Sequence, residues 1–416
     1  MQFKPEFRLK GRGAEVAEMR GGETDEDHQK VSADLFVKLR VPRRSPRLCV
    51  KISRFTATKI LSRRPGSVTI PGMFTSEEWM KPFRLFVLAM IAAAQPQIAP
   101  AATNAPASEY KIPAAAHQVE FLRADWLDAK RNRHVPVKIY FPQTGIGPFP
   151  VIIFSHGLGG SREAYEFLGR YWAERGYVSV HLQHLGSDAA VWQDTPATNL
   201  MTNMRKAAAN LDNVSNRPLD VSFAIDQLEK WNREDSPLKN RLDLARIGMA
   251  GHSFGSFTTL AIAGQVFITP GGREISFADP RVKAAVAMSS PVPARKDTLD
   301  RAFGKIKIPV LHMTGTEDYS PIGETHPEER RVPFDHIHGA DQFLLTLNGG
   351  DHIIFAGRTT TLTPEKEKLF KDLICESSTV FWDAYLKGDA KAKAWLTNDF
   401  KAALAADGTF EIKPVK

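Results

Sequence analysis

The stretch Gly251-His252-Ser253-Phe254-Gly255-Ser256 ("GHSFGS") decides how this chain is read. Gly-x-Ser-x-Gly is short, and with glycine near 7% of residues a chain of this length shows it by chance roughly one time in ten. Its surroundings therefore carry the argument. "ARIGMA" before it is an apolar run of strand character, and "FTTLAIAG" after it has helical character. A strand passing into a helix through glycines placed two residues either side of Ser253 implies a turn tight enough to strain the serine. Gly251 and Gly255 leave room for that turn. The hydroxyl then stands at the C-terminal edge of a sheet, where open α/β sheets place their ligands. The N–H of Phe254, at the helix N-terminus, is free to face a developing oxyanion.

The flanking pattern supports a large α/β domain over residues 117–416, with a mostly parallel central sheet and helices on both faces. "HQVEFLRADWLD" and "HVPVKIYFP" read as an antiparallel opening pair. "PVIIFSH" (150–156) reads as a strand buried on both faces. "YVSVHLQH" (177–184), "VKAAVAMSS" and "IPVLHMTG" follow, and "QFLLTLNGG" (342–350) is expected as the last strand. "SREAYEFLGRYWAERG" and 219–232 read as helices, and 364–388 reads as a closing helix ended by Gly388. Residues 185–215 form a long irregular segment with a helical patch. Met201 and Met204, with Leu200 and Leu211, either form a lid over the site or simply pack.

A serine hydroxyl needs a base, and the base needs an orienting acid. In Ser–acid–His order, Asp318 follows the strand "IPVLHMTG" and His352 follows "QFLLTLNGG", both at strand C-terminal ends. Glu317 and Asp351 are rival acids, but Asp351 would have to fold back onto its own neighbour's ring. The loop "HGLGG" (156–160) follows an earlier strand, and its Leu158 N–H is the expected second oxyanion donor. A dinucleotide loop would need glycine where Arg162 stands. His181 and His184 lack a third ligand for zinc and are read as packing or pocket wall, and His336 and His338 as surface. No metal or organic cofactor is expected.

Composition narrows the partners. Of 416 residues, 43% are hydrophobic and 25% charged, with a formal charge of +8. Residues 1–79 hold 16 Lys/Arg against 10 Asp/Glu, and Lys81 and Arg84 add two more basic residues. Removing these from the chain totals of 55 and 47 leaves 37 basic and 37 acidic residues in 102–416, so the basic excess is no argument for nucleic acid. Residues 80–102 place Lys81 and Arg84 before ten apolar residues, Leu85 to Ala94, and then Ala99-Pro100-Ala101. That is the layout of a secretory signal peptide cleaved near Ala101, and too short for a stable membrane span. Translation is expected to start at Met80 or Met73, with 1–79 an upstream extension or a disordered basic tail and 103–116 a flexible linker. Cys49 and Cys375 are not expected to pair, and Cys375 reads as a core residue.

"FSHGLGG", then "GHSFG", an Asp loop and a late His resemble the secreted platelet-activating factor acetylhydrolases, and also bacterial predicted dienelactone hydrolases. The resemblance spans roughly 117–390. It implies an α/β-hydrolase fold, a triad of Ser253, Asp318 and His352, and backbone oxyanion donors at Leu158 and Phe254. The serine departs from true dienelactone hydrolases, which use cysteine. The expectation is a secreted or periplasmic serine hydrolase of carboxylic esters, acting on small-molecule or lipid esters with short acyl groups favoured. A peptidase or amidase with the same triad, or a non-catalytic binding protein on the same scaffold, are the alternatives.

Overall fold

The computed structural model describes residues 110–293 and 295–415. The expected signal peptide at 80–102, the segment 1–79 and the first part of the expected linker lie outside the described residues.

Among the described residues eleven strands occur in chain order. They are β1 (Val119–Asp128), β2 (Arg133–Pro142), β3 (Phe149–Ser155), β4 (Val178–Leu182), β5 (Leu242–His252), β6 (Val266–Ile268), β7 (Glu274–Ser276), β8 (Val282–Met288), β9 (Val310–Glu317), β10 (Gln342–Asp351) and β11 (Gly408–Lys413). Nine of them form one sheet in the order β1-β2-β4-β3-β5-β8-β9-β10-β11, and β6 and β7 form a separate hairpin. From β4 to β10 every neighbouring pair is parallel. The antiparallel pairs lie at the two edges.

The helices are α1 (Glu166–Glu174), α2 (Ala197–Ala209), α3 (Leu211–Arg233), α4 (Phe254–Ala263), α5 (Leu299–Phe303), α6 (Val332–His336), α7 (Pro364–Tyr385), α8 (Ala390–Asn398) and α9 (Phe400–Leu404). Helix α3 starts where the Asn210 side chain accepts from Asp212 N–H, and α7 where Thr363 accepts from Lys366 N–H behind Pro364. This is the mostly parallel α/β architecture that the sequence pattern predicts, and the α/β-hydrolase fold that the resemblance implies.

Both faces of β3 are covered, which is why its seven residues are uniformly buried rather than alternating. Ile152 and Phe154 pack into one core with Trp172 of α1 and Trp382 of α7. Val151 and Ile153 pack into the opposite core with Ile225 and Leu228 of α3. A third cluster joins Leu260 of α4, Ala285 and Ala287 of β8, and Phe303 of α5.

Some expectations need correction. The sheet does not end at β10, because α8, α9 and an antiparallel edge strand β11 follow the expected closing helix. In "GTFEIK" only Phe410 is buried, so the edge strand has little apolar pattern to announce it. The hairpin β6–β7 was likewise not foreseen. The described end of the expected linker, 110–116, is anchored at two points though largely exposed: Tyr110 is buried and its hydroxyl donates to Asp383 at 2.6 Å, while Arg175 donates to the Pro113 carbonyl at 2.9 Å. Segment 185–215 is more regular than its sequence suggests, being α2, the start of α3 and a short 3-10 turn, Ala189–Val191. Among the described residues no helix is long and apolar enough to cross a membrane.

Candidate active site

Ser253 sits between β5 and α4 with φ 56° and ψ −116°, a backbone region that side chains other than glycine's avoid. The two glycines are there because nothing else fits. A Cβ on Gly255 would lie 1.8 Å from the Ser155 carbonyl oxygen, and one on Gly251 would lie 2.3 Å from the Gly255 carbonyl oxygen. The elbow is thus pressed against the end of β3, and the serine side chain faces outward.

Asp318 directly follows β9, and His352 directly follows β10. The two loops meet over Ser253. His352 Nδ1 is 2.7 Å from Asp318 Oδ1, and His352 Nε2 is 3.0 Å from Ser253 Oγ. Asp318 also accepts from Thr314 Oγ1 at 2.9 Å through its other oxygen. Because Nδ1 donates to the carboxylate, Nε2 is left as the acceptor for the serine O–H. Of the rival acids, Asp351 is occupied within its own loop, accepting from Ile354 N–H and Thr359 Oγ1, both at 2.9 Å, and Glu317 is exposed.

Asp318 is fully buried. Burial alone would raise its carboxyl. The hydrogen bond from His352 and the charges of His352 and Arg330 outweigh that and hold it below the ordinary carboxylate range. Sequence reasoning missed Arg330, since "PEERR" reads as a solvated surface run. In the structure its guanidinium is buried, donates to the backbone carbonyls of Asp318, Ser289 and Ser290, and lies 3.3 Å from Asp318 Oδ1. It also lies 3.4 Å from His352 Nδ1, but that nitrogen carries the proton given to Asp318, so the approach is not a hydrogen bond.

The three glycine N–H groups of the loop 156–160 are all spent within the protein. Gly157 N–H donates to the Tyr165 hydroxyl, Gly159 N–H to the Ser187 carbonyl and Gly160 N–H to the Gly157 carbonyl. Among the described residues Leu158 N–H has no acceptor, and Phe254 N–H, the first of α4, has none within its helix. Leu158 and Phe254 line the same cleft as Ser253 and His352.

Behind this loop lies a sealed polar cluster. Arg217 is fully buried and donates to Ser155 Oγ at 2.9 Å, Ser187 Oγ at 2.9 Å, Thr258 Oγ1 at 3.0 Å and the His156 carbonyl. Burial pulls its guanidinium down to about 9, which still leaves it protonated at neutral pH. Ser155, His184 and Asp220 also form a Ser–His–Asp line, at 2.9 and 3.0 Å. That line is closed to solvent, and Asp220 is neutralised by Arg131 and Arg133 as well. It holds the ends of β3 and β4 rather than facing the cleft.

His181 is satisfied by Ser179 Oγ and the Ala164 carbonyl, and so, like His184, is packed rather than open to a ligand. Among the described residues no group of three or more His, Cys, Asp or Glu side chains is placed to hold a metal ion. Cys375 is buried in the core, and burial pushes its thiol up.

The cleft has a volume of about 670 Å³, and its walls include Leu158, Trp192, Met204, Val214, Phe257 and Ile322. Segment 185–215 therefore supplies one wall, through Trp192, Met204 and Val214. Of the four residues considered for a lid, Met204 reaches the cleft, whereas Met201 and Leu211 are exposed. Arg358 is the charged side chain on the rim, beside Tyr165. A smaller cavity of about 300 Å³ adjoins the cleft and shares Phe257 and Pro291 with it.

Residues 132–214 match the family model of platelet-activating factor acetylhydrolase, isoform II. The match includes the loop 156–160 and the cleft wall from 185 to 214, and ends before Ser253. The chain is similar to the platelet-activating factor acetylhydrolase of Cavia porcellus, with 30% identity over 149 residues, covering 30% of this chain and 34% of that protein. It is 26% identical over 141 residues to the enzyme of the same name from Canis lupus familiaris, covering 27% of this chain and 31% of that protein. The chain thus aligns with about a third of the length of the curated relatives it matches.

Proposed function

We propose that the protein is a serine hydrolase of carboxylic esters, related in activity to the acetylhydrolases it resembles and favouring short acyl groups. The observation that carries this reading is the unbroken line Ser253 Oγ–His352 Nε2, His352 Nδ1–Asp318 at 3.0 and 2.7 Å, opening into an apolar cleft beside two unused backbone N–H groups. His352 takes the Ser253 proton as Oγ bonds to the acyl carbon. The carbonyl oxygen gathers the negative charge between Leu158 N–H and Phe254 N–H. His352 then returns the proton to the departing alcohol oxygen, leaving the acyl group on Ser253. A water molecule attacks the acyl carbon by the same route, its proton passing through His352 to Ser253 Oγ, and the acid leaves. Asp318 keeps His352 in the tautomer with a proton on Nδ1 and stabilises the imidazolium that forms in each half-reaction.

The layout of residues 80–102 supports secretion or periplasmic export. The test compares the purified protein with Ser253→Ala on p-nitrophenyl esters from acetyl to dodecanoyl. The expected result is wild-type turnover greatest on short chains and a loss on the order of 10⁶-fold in the variant. A folded wild type inert on every ester but active on an amide series would replace the esterase reading with the amidase one.

A further inference from the structure

His252, the residue between Gly251 and the nucleophile, is drawn into a chain of hydrogen bonds that touches all three loops of the site. Gly157 N–H lies 3.2 Å from the Tyr165 hydroxyl oxygen. That oxygen lies 2.8 Å from His252 Nδ1, and His252 Nε2 lies 2.8 Å from the backbone carbonyl of His352. Donor and acceptor capacity fixes the direction of every bond once the buried ring is neutral. A carbonyl can only accept, so His252 Nε2 carries the proton and donates to His352. A neutral ring then leaves Nδ1 as an acceptor, which the tyrosine O–H satisfies. The tyrosine oxygen keeps its lone pair for Gly157 N–H. With the ring neutral, no other assignment satisfies all three contacts.

The packing around the chain is close. The His252 ring centroid is 4.8 Å from that of His352, and Phe355 stacks on the other side at 6.1 Å. A Cβ on Gly157 would stand 3.2 Å from both His252 Nδ1 and the Tyr165 hydroxyl, so the glycine lets the loop reach them. Tyr165 itself is held at φ 62°, a left-handed conformation that a bulky residue keeps only when its surroundings impose it. Its ring lies 4.6 Å from Phe154. Burial, with the charge of His352 adding to it, keeps the His252 ring neutral far below its ordinary range, and burial pushes the Tyr165 hydroxyl up to about 12. Both groups therefore hold one protonation state around neutral pH.

We infer that His252 is a positioning residue: through Nε2 it sets the height of the His352 loop over Ser253, and through Nδ1 and Tyr165 it sets the loop that presents Leu158 N–H. His252 lies in the cleft wall but is buried, and both of its ring nitrogens are spent on this chain rather than turned to Ser253 Oγ. Its work is to tie the base and one oxyanion donor to the nucleophile's own turn, so that all three parts hold a common geometry. Gly157 N–H is spent on this chain, which leaves Leu158 as the loop's donor to the oxyanion. The inference rests on the hydrolase reading above.

The test measures kcat and KM on p-nitrophenyl acetate for wild type, His252→Leu, His252→Gln and Tyr165→Phe, with urea midpoints to show that each is folded. Glutamine supplies an N–H and a carbonyl oxygen in place of the two ring nitrogens, whereas leucine fills the space with neither. The expected result is a fall in kcat of about ten- to a hundred-fold for His252→Leu and Tyr165→Phe with KM little changed, since a misplacement on the order of 1 Å costs that much. His252→Gln is expected to recover most of the loss. A His252→Leu variant within two-fold of wild type would overturn the inference while leaving the hydrolase reading intact. So would equal losses for His252→Leu and His252→Gln, or losses confined to KM. A folded wild type that neither turns over any ester or amide nor is labelled at Ser253 by a fluorophosphonate would sink both.

Discussion

Replacing Ser253 by glycine should make the protein more stable than replacing it by alanine, although both variants lose the nucleophile. At φ 56° and ψ −116° the residue occupies the conformation of the first central position of a type II′ turn, which glycine adopts without strain. A Cβ held there costs of order 1–3 kcal/mol. Glycine brings its own penalty, about 0.5–1 kcal/mol, because it has more backbone freedom to lose on folding. The middles of the two ranges leave Ser253→Gly ahead by about 1 kcal/mol. Both variants lose the hydrogen bond to His352, so that term cancels in the comparison. Equilibrium urea unfolding at a common m-value is the assay, supported by a melting temperature higher by about 2 °C per kcal/mol. If Ser253→Ala matched or exceeded Ser253→Gly, the serine would not be strained, and the account of why Gly251 and Gly255 flank it would fall with it.

Gly255→Ala places its methyl 1.8 Å from the Ser155 carbonyl oxygen, a backbone atom that cannot swing aside. We expect loss of the folded state, read as missing soluble protein or a collapsed urea midpoint, and a variant of wild-type stability would show that the elbow does not press on β3. Asp318→Asn should lower kcat by on the order of 10⁴-fold, because an amide no longer enforces the tautomer in which His352 Nε2 accepts. The same variant tests a pH effect. The Asp318 carboxyl is depressed in the folded protein, so its contribution is present above the unfolded value and fades as pH falls through the folded one. The stability gap between wild type and Asp318→Asn should therefore close below about pH 4, and a gap that widened there would refute the assignment. Arg330→Met removes a buried cation that holds three carbonyls and the Asp318 carboxylate. We expect a cost of about 3–5 kcal/mol in urea unfolding, and a change under 1 kcal/mol would mean that the guanidinium is not buried against them.

Short-range information carried much of this protein. Uniform burial of β3 follows from an unbroken apolar run, and the elbow from glycines at fixed offsets around one serine. Ser253, Asp318 and His352 could be picked out because each stands at the end of a recognisable strand, and parallel strands deliver their C-terminal ends to one edge. Residues whose role depends on partners far along the chain were not legible. Arg330 lies in a charged run with every mark of a surface, yet it is buried because the Ser289, Ser290 and Asp318 carbonyls converge on it. Arg217 hides in a polar turn of α3 and serves Ser155, His156, Ser187 and Thr258. Tyr110 falls in a stretch that reads as linker, and β11 has no strand pattern, because a single buried aromatic makes no period. His252 was visible only as the unspecified letter of a motif. Local pattern, then, determined which elements form and which side chains reach the active edge, because periodicity and turn sterics act over a few residues. Tertiary structure alone decided which polar groups are buried together, and so which nitrogen of each histidine carries its proton, because hydrogen-bond satisfaction in a dry interior is a property of the whole packed assembly.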